Sequence, residues 1–188
     1  FCFNCESIPA MEVINSIAEK QNKVATIALR INPYIEAHTH KYITTGVAES
    51  KFGINTWELK EVLEKLKSLK YLNLKGIHFH IGSQITKMSV FKSLCSRINE
   101  LQEFFSSQNI DIEIINVGGG LGIDYANPEK AARFEDYFSM IREFVKLRSG
   151  QHIHVEPGRS LVGQCGSLIS KVLYIKKGSN TTFAIIDA

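Results

Sequence analysis

Strand-like and helix-like segments alternate along nearly the whole chain, and this alternation restricts the fold more than any other feature. Residues 1–5 read as the end of a strand, and "ESIPAMEVINSIAEKQ" (6–21) places Met11, Ile14, Ile17 and Ala18 at helical spacing. "TIALRIN" (26–32) is a strand, and residues 33–54 form a polar loop. Asn55, three residues before Glu58, opens a helix to about Leu69, with Leu59, Val62, Leu63 and Leu66 on one stripe. A strand ending in "GIHFHI" follows, then a helix over about Ser89–Ser107 and the strand "IEIINVG" (112–118). Another helix, about Ala131–Arg148, is closed by Gly150. "HIHVEP" (152–157), "GSLISKVLYIKK" and "TTFAIID" are the last strands. Strands separated by helices imply βαβ units and a parallel sheet. No dinucleotide signature of an open sheet follows the first strand. The predicted fold class is therefore α/β, a (β/α)8 TIM-type barrel lacking its first units, with a doubly wound sheet as the competing architecture. A barrel gathers its functional groups at the carboxyl ends of its strands. The chain begins and stops inside strand-like stretches, so residues 1–188 are expected to be the central and C-terminal part of a barrel domain in a longer protein.

Composition removes several function classes. The 188 residues are 44% apolar and 22% charged, with a net charge of +3, ordinary for a globular chain and too weak to argue for nucleic acid. The densest basic stretch, Lys60–Lys70, alternates Lys with Glu and Leu at helical spacing and reads as a solvated helix face. No secretory signal and no apolar run of membrane length is present. The four cysteines are scattered. Cys2-Phe-Asn-Cys5 has no second pair to complete a zinc site. These features predict no metal, no nucleic acid or membrane partner, and a reducing, cytoplasmic setting.

Chemistry-bearing residues collect where strands end. In "GIHFHIGSQI" (76–85), His78 and His80 alternate with apolar residues, so both imidazoles share one face. Gly82-Ser83-Gln84 follows. After "IEIINV" comes "GGGLG" (118–122), whose backbone N–H groups can converge on a phosphate because no Cβ intervenes; a tight βα turn would read the same way. After "HIHV" come Glu156, Pro157, Gly158 and Arg159. Glu156 and Arg159 either pair with each other at the rim or act separately, Glu156 toward a cationic ring nitrogen and Arg159 toward a carboxylate. The two His-x-His pairs, 78/80 and 152/154, also admit a metal-dependent hydrolase, although that reading leaves the glycine run without a role. His38 and His40 in the polar loop carry no message alone.

Taken in order, "GIHFHIGSQI", "NVGGGLGIDY" and "EPGRSLVGQCG", together with "RINP", "HTHKYITTG" and "ESKFGI", resemble the diaminopimelate decarboxylase family, pyridoxal-phosphate enzymes of the alanine-racemase-like barrel class. The related ornithine and arginine decarboxylases share the glycine run and a similar Glu-Pro-Gly-Arg. The resemblance implies pyridoxal 5'-phosphate as cofactor and an amino-acid substrate, meso-diaminopimelate, decarboxylated to L-lysine in the last step of lysine biosynthesis. It implies that His80, the catalytic residue, lies against the pyridoxal ring, with Ser83, Gly119 and Gly120 on the phosphate. Glu156 would face the ring nitrogen, Gly158 would lie along the phosphate, and Arg159 would take a substrate carboxylate. His78 reads as a supporting residue. The family's Schiff-base lysine precedes this stretch, and Lys51 does not match it. Its β-rich second domain, which completes the site across a homodimer, follows it. The stretch alone is expected to be inactive. A related ornithine- or arginine-type decarboxylase, or a non-catalytic pyridoxal-phosphate-binding barrel protein, remains the alternative.

Overall fold

The structure, a computed structural model, describes residues 1–35, 52–127, 129–130 and 132–188. His38, His40, the segment "HTHKYITTG" and Lys51 lie outside them. Five strands form one parallel wall: β1 (Phe3–Cys5), β2 (Ala25–Asn32), β4 (Leu72–His78), β5 (Ile114–Asn116) and β6 (His152–His154), neighbouring one another in that order. A two-residue strand β3 (Ile54–Asn55) pairs with the tip of β2. Between them lie α1 (Ile8–Lys20), α2 (Leu59–Leu66), α3 (Met88–Ser107) and α4 (Phe134–Phe144); a single turn, α5 (Arg159–Val162), follows β6. Each strand lies beside the one before it and the order never reverses. A doubly wound sheet would require a switch point where the order turns back. The wall is that of a (β/α) barrel, and no switch point of the competing open-sheet architecture occurs among the described strands.

The two faces of the wall have opposite chemistry, as a period of two demands. Cys5, Leu29, Ile77, Ile115 and Ile153 share one row. The first four are fully buried. They pack with Met11 of α1, Phe91, Leu94, Ile98 and Phe105 of α3, and Tyr137 and Ile141 of α4 in one core. Burying each large apolar side chain contributes about 1.5–3 kcal/mol, so this layer is the main stabilising element. The neighbouring row on the opposite face is Arg30, His78, Asn116 and His154.

Helix starts follow local chemistry. Ser7 caps α1 through Ala10 N–H, with Pro9 in the first turn. The Glu58 carboxylate accepts from Asn55 N–H at 2.7 Å, ahead of a 3₁₀ turn at Thr56–Glu58 that leads into α2. Several element ends depart from the sequence reading. Ile17 is 51% exposed rather than core. β4 stops at His78, short of Ile81, and β5 and β6 are three residues each; Gly82 (φ 142°) after β4 and Gly118 (φ 72°) and Gly120 (φ 97°) after β5 turn the backbone out of the ladder. The fourth helix ends at Phe144, well before Gly150. The Asn99 side chain of α3 donates to Phe144 O and accepts from Lys146 N–H, capturing the last turn. Gly150 (φ 80°) serves the turn into β6 instead. The expected strand over 166–177 is confined to β7 (Val172–Lys177), which forms a separate antiparallel pair with β8 (Thr182–Ile186).

Candidate active site at the strand tips

The loops after β4, β5 and β6 are joined to one another backbone to backbone. Phe79 N–H donates to Asn116 O, Val117 N–H to His154 O and Glu156 N–H to Gly118 O, at 2.8–3.0 Å. Further out, Ile85 N–H donates to Gly120 O and Gly122 N–H to Ile85 O. The Gln84 side chain closes the same seam, donating to Ile123 O at 2.6 Å and accepting from Ile123 N–H. The glycine run is what permits this closeness. A Cβ on Gly118 would lie 2.0 Å from Phe79 O, on Gly119 2.1 Å from Glu156 O, and on Gly120 2.4 Å from Gly82 O. These contacts are shorter than any real carbon-to-oxygen approach, so three consecutive positions require glycine for loop packing alone. Gly158 differs: a Cβ there would meet nothing within 4 Å.

Glu156 lies at the centre of the polar face. Asn116 Nδ2 donates to Oε1 at 2.8 Å, with Asn4 Nδ2 at the long distance of 3.4 Å, and His78 Nε2 stands 3.1 Å from Oε2. The Asn116 carbonyl oxygen also accepts from Gly118 N–H at 2.9 Å, so one side chain ties the carboxylate to the glycine loop. Burial by itself would raise the Glu156 pKa. The neighbouring His78, the Asn116 hydrogen bond and His80 outweigh it and hold the carboxyl below its usual range. His78 moves the other way from a simple ion-pair partner. Burial, with Arg30 nearby, outweighs the Glu156 charge and lowers its pKa, so the imidazole is neutral at neutral pH. His80, half-buried two residues on, is lowered by burial and by Arg30. Arg30 is itself paired with Glu6 at 2.5 Å and lies over the Phe52 ring.

The structure therefore draws His78, His80, Glu156, Gly119 and Gly120 onto one end of the wall, with Ser83 half-buried in the turn between Gly82 and Gln84. Arg159 stands apart from Glu156. Its guanidinium donates to Tyr125 Oη at 2.7 Å and lies over that ring. Sequence reasoning missed Asn116, Tyr125 and Arg30, and gave His78 a supporting place without naming what it supports. Asn116 and Arg30 share a register row with His78, a relation that no single strand reveals. Among the described residues no group of three or more His, Cys, Asp or Glu comes together as a metal site.

An anionic carboxylate, two imidazoles and a glycine-lined seam meet at the carboxyl ends of parallel barrel strands, an arrangement suited to a phosphorylated aromatic cofactor. The family comparison agrees. Residues 1–163 match the pyridoxal-dependent decarboxylase, pyridoxal binding domain, and the chain belongs to that family. It is 53% identical over its whole length to a diaminopimelate decarboxylase of Bacteroides thetaiotaomicron, covering 49% of that protein. It is 38% identical over 99% of its length to that of Haemophilus influenzae, covering 45%. The solved diaminopimelate decarboxylase of Helicobacter pylori, complexed with L-lysine, superposes with a TM-score of 0.84 at 37% identity over 98% of this chain and 46% of that one. A Chlorella virus arginine decarboxylase shares the fold at 21% identity and a TM-score of 0.70. The chain thus spans about half the length of the curated relatives it matches. No helix among the described residues is long and apolar enough to cross a membrane.

Pyridoxal phosphate, the group this family binds, suits the residues present. Glu156 is an ionised acceptor on the polar face, and the buried Nδ1 of His78 has no hydrogen-bond partner among the described residues. The cradle at Gly118–Gly120 has no room for side chains.

Proposed function

We propose that this chain is the cofactor-binding wall of a meso-diaminopimelate decarboxylase, releasing CO2 and forming L-lysine at the end of lysine biosynthesis. The observation that carries the reading is the ionised Glu156 carboxylate, held between His78 and Asn116 and joined through the backbone to the glycine seam. The relatives at 53% and 38% identity, both diaminopimelate decarboxylases, support diaminopimelate among amino-acid substrates. Residues 1–188 are then the central and C-terminal part of the barrel, its lysine and a β-rich second domain lie elsewhere in the full-length protein, and the working form is a cytoplasmic homodimer.

Pyridoxal phosphate, when bound, supplies an electron sink for the pair left behind as CO2 departs. The chain's own residues supply binding, orientation and charge. Glu156 would face the ring nitrogen and favour its protonated state, since a fixed negative charge stabilises the positive form. The neutral His80 ring would lie flat against the cofactor. Ser83 Oγ and the N–H groups of Gly119 and Gly120 would hold the phosphate, with the Gly158 backbone alongside. Arg159 uses one donor on Tyr125 and, among the described residues, forms no ion pair, so its guanidinium would have further N–H groups for a substrate carboxylate.

The test is CO2 release by the full-length protein supplied with pyridoxal phosphate and, separately, meso-diaminopimelate, ornithine or arginine. Turnover of diaminopimelate at least about tenfold above the others, a difference of about 1.4 kcal/mol in transition-state binding, is the expected result. Preference for ornithine or arginine would move the assignment to the related decarboxylases. Cofactor binding without CO2 release from any of the three would leave a pyridoxal-phosphate-binding barrel with no decarboxylase activity.

A further inference from the structure

His78 is 4% exposed and stands behind Glu156 rather than on the open part of the polar face, yet its ring makes a directed contact. Its Nε2 lies 3.1 Å from Glu156 Oε2, while Asn116 Nδ2 lies 2.8 Å from Oε1. A carboxylate gripped at both oxygens by two buried side chains on adjacent strands has its plane fixed. Asn116 is in turn fixed by Gly118 N–H.

We infer that His78 is a positioning residue for Glu156, donating its Nε2 proton to Oε2 so that, opposite Asn116 on Oε1, the carboxylate is held in one orientation toward the cofactor's ring nitrogen. The inference rests on the reading of Glu156 given above and adds to it the residue that aims the carboxylate. The tautomer follows from geometry. The ionised Glu156 Oε2, 3.1 Å from Nε2, can only accept, so Nε2 carries the proton and the buried, unpartnered Nδ1 holds the lone pair. The surrounding groups agree. Arg30 of β2 faces His78 across the register, His80 lies two residues on, and Asn116 of β5 and Glu156 after β6 complete the ring of neighbours. The positive Arg30 disfavours an imidazolium at His78, so the Glu156 charge is left to act on the cofactor instead of being neutralised by its own support. His78 thereby lends orientation without cancelling charge, which a lysine or arginine at the same position could not do.

The experiment uses the full-length protein loaded with pyridoxal phosphate and three variants, His78→Leu, His78→Gln and Glu156→Gln. Readouts are the visible absorption of the bound cofactor as a function of pH, cofactor affinity, and kcat separately from KM. Glu156→Gln comes first, because it tests the underlying reading. If the cofactor spectrum, its pH dependence and its affinity are unchanged, Glu156 does not meet the ring, and both the reading and the inference fail. If Glu156→Gln shifts the spectrum, His78→Leu is expected to shift it in the same direction and lower kcat about tenfold or more with KM little changed. This is the range for losing a hydrogen bond to a charged group. His78→Gln, which can place an amide N–H near Oε2, is expected to restore most of that loss. A wild-type spectrum in His78→Leu, or a Gln variant as impaired as the Leu variant, overturns the inference while leaving the reading of Glu156 standing. Should the Leu variant fail to fold, nitrogen NMR of the unmodified protein decides. A His78 ring carrying its proton on Nε2 near neutral pH supports the inference, and one protonated on Nδ1 overturns it.

Discussion

Replacing Gly119 by alanine should separate the strand tips and, with them, the site. The added Cβ would lie 2.1 Å from Glu156 O and 3.1 Å from its carbonyl carbon. Relief to even the tightest real contact requires about 1 Å of movement between the loops after β5 and β6, both backbone. The Glu156 N–H to Gly118 O bond, 2.8 Å long, joins those same loops and would stretch beyond hydrogen-bonding range. Overpacking costs about 1–3 kcal/mol, and the lost bond adds about 1 kcal/mol, so about 2–4 kcal/mol is expected in total. For a chain of this size each kcal/mol lowers Tm by about 2–4 °C, so the cofactor-free variant should melt roughly 4–16 °C below wild type by circular dichroism. Gly158→Ala is the matched control. The chemical change is identical, but the new methyl meets nothing within 4 Å, and Gly158, at φ −104° and ψ −86°, lies outside the left-handed region. Its Tm should stay within about 2 °C of wild type, as for a surface substitution. If the two variants melt together, or Gly119→Ala melts like wild type, the seam is not held by backbone contact and the account of the glycine run is wrong.

Three further outcomes follow from the same geometry. Asn116→Ala removes both the donor to Glu156 and the acceptor for Gly118 N–H, and should cost about 1–3 kcal/mol in urea denaturation; Asn116→Asp, which keeps the acceptor but places a second carboxylate beside Glu156, should weaken cofactor binding more than it weakens the fold. Phe91→Ala empties a site in α3 that is 1% exposed and packs edge-on to Tyr137 at 4.9 Å, and should cost about 3–5 kcal/mol, read as a lower urea midpoint with an unchanged slope. The depressed pKa values of His78 and His80 make their neutral forms part of the fold: that stability is fully present above the ordinary value of 6.5 and is lost as pH falls below it, so Tm should drop between pH 7 and 5, and less steeply in His78→Gln.

The element sequence and the active end of the barrel were legible in the chain because both are written in local patterns. Apolar residues recur with period two or 3.6, and polar or glycine-rich residues stand where strands stop. Asn55 and Glu58 marked a helix start in the same local way. Ends set by tertiary contacts were not legible. The fourth helix stops at Phe144 because Asn99, on another helix, takes its last carbonyl, a contact 45 residues away in sequence. The purpose of the glycines was also only half visible. Their freedom suggests an anion cradle, whereas the Phe79, Gly82 and Glu156 carbonyl oxygens pressed against them appear only once three loops have met.

The sequence by itself determined the alternation of strands and helices that makes a parallel sheet, because period-two and period-3.6 patterns are local, and its ordered motifs carried the resemblance to the pyridoxal-binding family. Tertiary structure alone decided which groups act on Glu156. Parallel pairing sets Arg30, His78 and Asn116 in one row across β2, β4 and β5, and residues 78 and 116 reach the same carboxylate from strands far apart in the chain. Hydrogen bonds and desolvation depend on distance in space, and the register that fixes those distances belongs to the assembled sheet and to no single strand.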